Sequence, residues 1–136
     1  MRVLLDTNVL IAAFISSRGR CAEILEHCAE AHELVSSPAL LEEYREKLVT
    51  KFRLAEENAA ARVELLRSQM EIVSPAGLSI PVCRDPDDDD VLAAAQIAGC
   101  DCIITGDQDL LVLERYEGIA IVAPGDFAAF ESTMQS

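Results

Sequence analysis

Apolar residues along this chain fall into short blocks of two kinds. Residues 2–5 (Arg-Val-Leu-Leu), 33–36 (Glu-Leu-Val-Ser), 71–73 (Glu-Ile-Val), 102–105 (Cys-Ile-Ile-Thr) and 119–122 (Ile-Ala-Ile-Val) are brief, nearly continuous apolar runs. Such runs predict strands of a parallel sheet covered on both faces. The stretches between them repeat with a helical period. Residues 9–17 are apolar on most sides. In residues 21–31, Cys21, Ile24, Leu25 and Cys28 recur at i, i+3, i+4 and i+7. Ser37 and Pro38 supply an N-cap and a first-turn residue for a helix burying Leu40, Leu41, Tyr44 and Leu48. An Ala- and Glu-rich helix is expected from 54 or 55 to about 69, and a Pro/Gly loop over 74–81. Residues 91–98 form a strong helix closed by Gly99. A turn at 106–109 leads to a helix over 110–116 that Gly118 ends, and a last helix runs from Pro124 to about 132.

Strand and helix therefore alternate throughout, without internal repeat or linker. The economical solution is one domain over residues 1–136, a three-layer α/β/α sandwich around a parallel sheet of about five strands joined by right-handed crossovers. The chain is 51% hydrophobic but only 4% aromatic and has no Trp, so its core must come from Leu, Ile, Val and Ala. No apolar run approaches the ~20 residues of a membrane span, and no basic leader precedes the first strand, so neither membrane insertion nor secretion is expected. The five cysteines are odd in number and lack Cys-x-x-Cys spacing, which fits reduced thiols in a cytoplasmic protein. A net charge of −13 excludes a broad basic nucleic-acid-binding face. It does not exclude an acidic centre neutralised by a divalent cation.

The acids fall at particular places. Asp6 follows the first strand, and Asp107 lies two residues after the fourth. The run Asp85 to Asp90 opens the helix before that strand, and Glu43 sits in the helix after the second. In an open α/β sheet, ligands bind at the carboxyl ends of the strands, where the strand order reverses, and all of these acids can reach that edge. Each also has an ordinary explanation: Asp6 as a helix cap, Glu43 as a solvated helix residue, the Asp run as a dipole partner, Asp107 and Asp109 as turn residues. What favours chemistry is the convergence of four distant segments. Oxygen ligands without His or Cys suit Mg²⁺ or Mn²⁺. His27 and His32 fall away from the acids and read as surface residues, so no general-base His is expected. No Gly-rich phosphate loop is present. A phosphoacceptor receiver needs a Lys after its last strand, where this chain has Ala123-Pro124.

The segments Leu-Leu-Asp6-Thr7-Asn8, Ser37-Pro38-Ala-Leu-Leu-Glu42-Glu43-Tyr44, Arg84-Asp85-Pro86-Asp87-Asp88-Asp89-Asp90 and Thr105-Gly106-Asp107-Gln108-Asp109, in this order, resemble the PIN-domain family. The closest likeness is to the bacterial and archaeal branch that supplies toxins of toxin–antitoxin pairs. The resemblance covers almost the whole chain. It implies a metal-dependent endoribonuclease, with Asp6, Glu43, Asp88 and Asp107 as catalytic and metal-binding residues around Mg²⁺ or Mn²⁺. Among the consecutive acids Asp88 matches the family's helix register, and Asp89 is the runner-up. Asn8 and Thr105 are expected to orient the carboxylates, with Asp85, Asp89 and Asp109 at the rim. RNA contacts are expected from Arg18, Arg20, Arg45 and Lys47, with Lys51 and Arg53 nearby and Phe14, Tyr44 or Phe52 for stacking. The resemblance also implies an RNA substrate, a small antitoxin partner and a homodimer. The rival reading is a PIN-like module that binds metal or protein without catalysis.

Overall fold

In the computed structural model, which describes residues 1–75 and 81–135, the chain alternates β1 (Arg2–Leu5), α1 (Thr7–Ile15), α2 (Arg20–Ala31), β2 (Glu33–Ser36), α3 (Pro38–Thr50), α4 (Glu56–Arg67) and β3 (Met70–Ile72). It continues through α5 (Pro86–Ala98), β4 (Cys102–Ile104), α6 (Gln108–Leu111), β5 (Arg115–Tyr116) and β6 (Ile119–Val122). A 3-10 turn at Pro124–Asp126 then opens α7 (Phe127–Gln135). Most of the loop expected at 74–81 lies outside the described residues.

The six strands stand in the order β3-β2-β1-β4-β6-β5. All pairings are parallel except β5 with β6. Side chains alternate across this sheet with the two-residue period of a strand. Val3, Leu5, Leu34, Cys102, Ile104 and Val122 face a cluster with Val9, Ile24, Leu41, Tyr44, Leu48, Val63 and Phe127, contributed by α1 to α4 and α7. Leu4, Val35, Ile103, Ile119 and Ile121 face the other way, toward Val91, Leu92 and Ala95 of α5 and Leu110 of α6. Each fully buried Leu, Ile or Val contributes roughly 1.5–3 kcal/mol, so covering both faces is what makes short apolar strands hold together.

The sheet, expected with about five parallel strands, has six, the addition being the two-residue β5 that pairs antiparallel at the edge. One expectation is corrected. The helix expected over 110–116 stops at Leu111, because Glu114 takes φ 59° and turns the chain into β5. Glu117 (φ 49°) and Gly118 (φ 81°) then form the two-residue connection to β6, both with the positive φ that a type I′ hairpin turn requires. The helix over 91–98 is opened by the acidic run as expected: it begins at Pro86, with Asp87, Asp88 and Asp89 in its first turn. Asp85 caps it by accepting the Asp87 N–H at 2.9 Å, and Gly99 (φ 65°) closes it in the left-handed conformation.

β1 pairs β2 on one side and β4 on the other. The strand order therefore reverses between β1 and β4. Asp6 leaves β1 at that crevice, its N–H bonded to the Ile104 carbonyl at 3.0 Å, and Thr105 leaves β4 beside it. Among the described residues no helix is long and apolar enough to cross a membrane.

Candidate metal centre

The crevice is framed by a single hydroxyl. Thr105 is fully buried, and its Oγ1 donates to Asp6 Oδ2 at 2.7 Å while accepting the Asp107 N–H at 3.0 Å. Asp6 sits where α1 begins. Its Oδ1 accepts the Thr7 N–H at 2.7 Å and its Oδ2 also accepts from Asn8 Nδ2 at 3.2 Å. Asn8 Oδ1 in turn accepts the Gly106 N–H at 3.2 Å, which ties the loop after β4 to the start of α1. The cap and the candidate ligand are thus the same carboxylate. The Thr7 N–H holds one oxygen, and Thr105 and Asn8 fix the other.

Glu43 enters from α3. Thr7 Oγ1 donates to its Oε2 at 3.3 Å, and Lys47, one turn further along the helix, lies 3.0 Å from its Oε1. Glu42 points away into solvent and pairs with Arg45 at 2.5 Å, as the ~100° step between helix neighbours requires. Asp88 enters from the first turn of α5. It is buried, and its Oδ2 has no hydrogen-bond partner. Asp6, Glu43, Asp88 and Asp107 line one cavity of about 120 Å³, together with Asn8, Lys47, Asp85 and Asp87. Carboxylate oxygens of Asp88, Asp107 and Asp109 lie within 4.8 Å of one another. Asp109 also bonds Arg84 at 2.9 Å. Asp89 turns the other way and accepts the backbone N–H groups of Val82 and Cys83, the latter at 2.8 Å, so it shapes the approach to α5 rather than the cavity.

Burial and crowding make ionisation costly here. The Asp88 carboxyl is pushed up to about 7, by burial first and then by its contact with Asp107 and the charges of Asp107, Asp6 and Asp85. Asp6 is also raised by burial, against the opposing hydrogen bonds of Thr105 and Thr7. Asp87 and Asp90 shift upward for the same leading reason. A divalent cation answers each of these strains. It gives the orphaned Asp88 oxygen a partner and offsets the mutual repulsion of the carboxylates, and an all-oxygen donor set suits a hard ion. The residues present therefore fit such an ion.

Of the residues expected at the rim, Asn8, Thr105 and Asp85 join this network, and Asp109 reaches the Asp88–Asp107 pair. Lys47, expected only as an RNA contact, stands inside the cavity. Arg45 is engaged by Glu42 and Glu56, at 2.5 and 2.6 Å, and Arg18, on the turn before α2, and Arg20, the first residue of α2, are exposed. No His lines this cavity. The expectation that both histidines are surface residues holds for His27 but not for His32, whose side chain is only 4% exposed and meets Glu131 of α7. No sequence signal marked that meeting, which joins residues 99 positions apart.

A PIN domain family model matches residues 2–109, and the chain belongs to the PIN-domain family. It is 32% identical over 117 residues to an uncharacterised protein of Methanocaldococcus jannaschii, an alignment covering 83% of this chain and 75% of that protein. The fold is similar to a chain of the DNA-bound VapBC of Salmonella typhimurium (TM-score 0.65, 22% identity, 91% of this chain and 98% of that one). It is also similar to one of VapBC2 from Rickettsia felis bound to a DNA fragment from their promoter (TM-score 0.64, 16% identity, 90% and 98%).

Proposed function

We propose that this chain is a metal-dependent endoribonuclease, a single PIN-like domain of residues 1–136 acting as the toxin of a toxin–antitoxin pair in the cytoplasm. The observation that carries the reading is the partnerless, buried Asp88 oxygen in a cavity shared with Asp6, Glu43 and Asp107. These four residues would hold Mg²⁺ or Mn²⁺. When bound, the ion supplies charge neutralisation and Lewis acidity to phosphodiester cleavage. The chain's own residues do the positioning. Thr105 and Asn8 fix the Asp6 carboxylate, Thr105 also fixes the backbone of Asp107, and Thr7 steadies Glu43. Lys47 stands at the cavity wall, where its ammonium can exchange Glu43 for an incoming phosphate. Arg18 and Arg20, with Lys51 and Arg53, are exposed cations that could follow the RNA backbone.

Similarity to chains solved within VapBC assemblies supports a small antitoxin as partner, and pairing of two copies would double the RNA-binding groove. The test is cleavage of single-stranded and structured RNAs by wild type, Asp6→Asn and Asp88→Asn with Mn²⁺, Mg²⁺ or EDTA. The reading expects metal-dependent cutting that both substitutions abolish. Clean wild-type protein that binds Mn²⁺ yet cuts none of these RNAs would instead favour the non-catalytic module.

A further inference from the structure

At the opposite edge of the sheet, three side chains converge in a way the acid centre does not use. His27 lies on α2, His32 is the residue that caps the end of α2, and Glu131 lies on α7. His32 directly precedes β2, so this cluster sits at the amino edge of the strands. His32 adopts an extended backbone (φ −136°, ψ 178°), which folds its ring back beside that of His27. The ring centroids are 5.5 Å apart and the planes are nearly perpendicular. Both Nε2 atoms address one oxygen, Glu131 Oε2, at 2.6 Å from His27 and 2.5 Å from His32. His32 is held on its far side by the Met1 nitrogen, 3.3 Å from Nδ1, and by the edge of the Phe127 ring. The hydrogen bonds of His32 and His27 hold the Glu131 carboxyl below the usual carboxylate range, so it is ionised at neutral pH.

We propose that His27, His32 and Glu131 form a Zn²⁺ site that clips the last helix, α7, to the end of α2, separate from the acid centre. Two imidazoles and one carboxylate are a donor set for zinc rather than for Mg²⁺ or Mn²⁺. The donor atoms already lie within 4.8 Å of one another. Zinc bonds of about 2.0–2.2 Å in tetrahedral geometry put ligand atoms roughly 3.3 Å apart, so they need to separate by about 0.8 Å. The half-exposed His27 ring and the Glu131 side chain have room to do so. The ion takes the Nε2 lone pair of each ring, so any ring proton sits on Nδ1; at His32 the Met1 ammonium, which now lies 3.3 Å from Nδ1, must turn aside to make room for it. The place also suits a cation, because the carbonyl end of α2 carries negative partial charge and its last turn holds no basic residue. Three protein ligands leave a fourth position for water on the exposed His27 side.

The test uses the whole chain stripped with EDTA and titrated with ZnCl₂ by calorimetry, with Co²⁺ as a spectroscopic substitute. An Asp88→Asn/Asp107→Asn background removes the acid centre's contribution. The expected result is one retained Zn²⁺ per chain in that background, the visible bands of tetrahedral Co²⁺, and slowed amide exchange in α7 on zinc addition. Adding His27→Gln or Glu131→Gln should weaken zinc by more than the roughly 10–100-fold that an outer-shell change costs, and abolish the exchange protection. His27→Gln alters a half-exposed position, so the test stands even where Glu131→Gln fails to fold. A folded background protein that retains no zinc, or zinc binding indifferent to His27→Gln, would overturn the site and leave only a hydrogen-bonded contact between the two helices.

Discussion

Replacing Asp88 by Asn should stabilise the metal-free protein at alkaline pH. The Asp88 carboxyl titrates near 3.8 in an unfolded chain and near 7 in the fold, because it is buried against Asp107 and close to Asp6 and Asp85. Between those values the folded state holds the proton and the unfolded state does not. Stability therefore falls as pH rises through that window. At about 1.4 kcal/mol per unit, the full shift corresponds to on the order of 4 kcal/mol at pH 8. Asp88 does not act alone among the crowded carboxylates, and assigning half of that value to its own substitution leaves about 2 kcal/mol. For a chain of this size each kcal/mol moves the melting temperature by about 3–5 °C. In EDTA at pH 8, Asp88→Asn should thus melt roughly 6–10 °C above wild type; at pH 5, still above the unfolded carboxyl's 3.8, the difference should shrink to roughly 2–4 °C. Mn²⁺ should reverse the order at pH 8 by stabilising wild type and not the variant. The assay is thermal denaturation followed by circular dichroism across pH 5–8, with and without metal. A variant that melts below wild type at pH 8 in EDTA, or a difference that ignores pH, would refute the reasoning.

Three further outcomes follow from the same geometry. Thr105→Val keeps the shape of a fully buried side chain but removes the donor to Asp6 and the acceptor for the Asp107 N–H; it should cost about 1–3 kcal/mol in urea unfolding and weaken Mn²⁺ binding about 10–100-fold in calorimetry. Glu43→Gln should cut RNA cleavage at least about a hundredfold, whereas Glu42→Gln, whose side chain reaches only Arg45, should leave turnover within about twofold. Leu4→Ala, at a fully buried site on β1, should cost about 2–5 kcal/mol in chemical denaturation without altering metal affinity per folded molecule.

The central strands were legible because two-sided burial leaves an unambiguous mark: apolar blocks too short for helices, all but the last ending at a polar residue. Asp6 and Asp107 were legible for a related reason, as acids within three residues of the ends of β1 and β4. The third acid was harder, since four consecutive aspartates differ only by rotation about the α5 axis. The structure turns Asp88 inward and Asp89 toward the Val82 and Cys83 N–H groups. The β5 hairpin was misread because Leu110-Leu111-Val112-Leu113 carries a helical pattern, and the positive φ values that break it fall on Glu114 and Glu117, which announce no turn. Lys47 inside the acid cavity and His32 beneath α7 are tertiary facts. Neither residue type nor spacing tells a helix lysine which carboxylate it will meet.

The Thr105 hydroxyl joins a carboxylate 99 residues earlier in the chain. At about 5–20 residues per second, a ribosome takes roughly 5–20 s to travel from Asp6 to its hydroxyl partner. During that interval the emerging polypeptide carries Asp6 and Glu43 but neither the clamp that orients the first nor the full group of aspartates that completes the set. A nuclease of the proposed kind is thereby harmless while it is still being made, and its timing is written into the order of its strands.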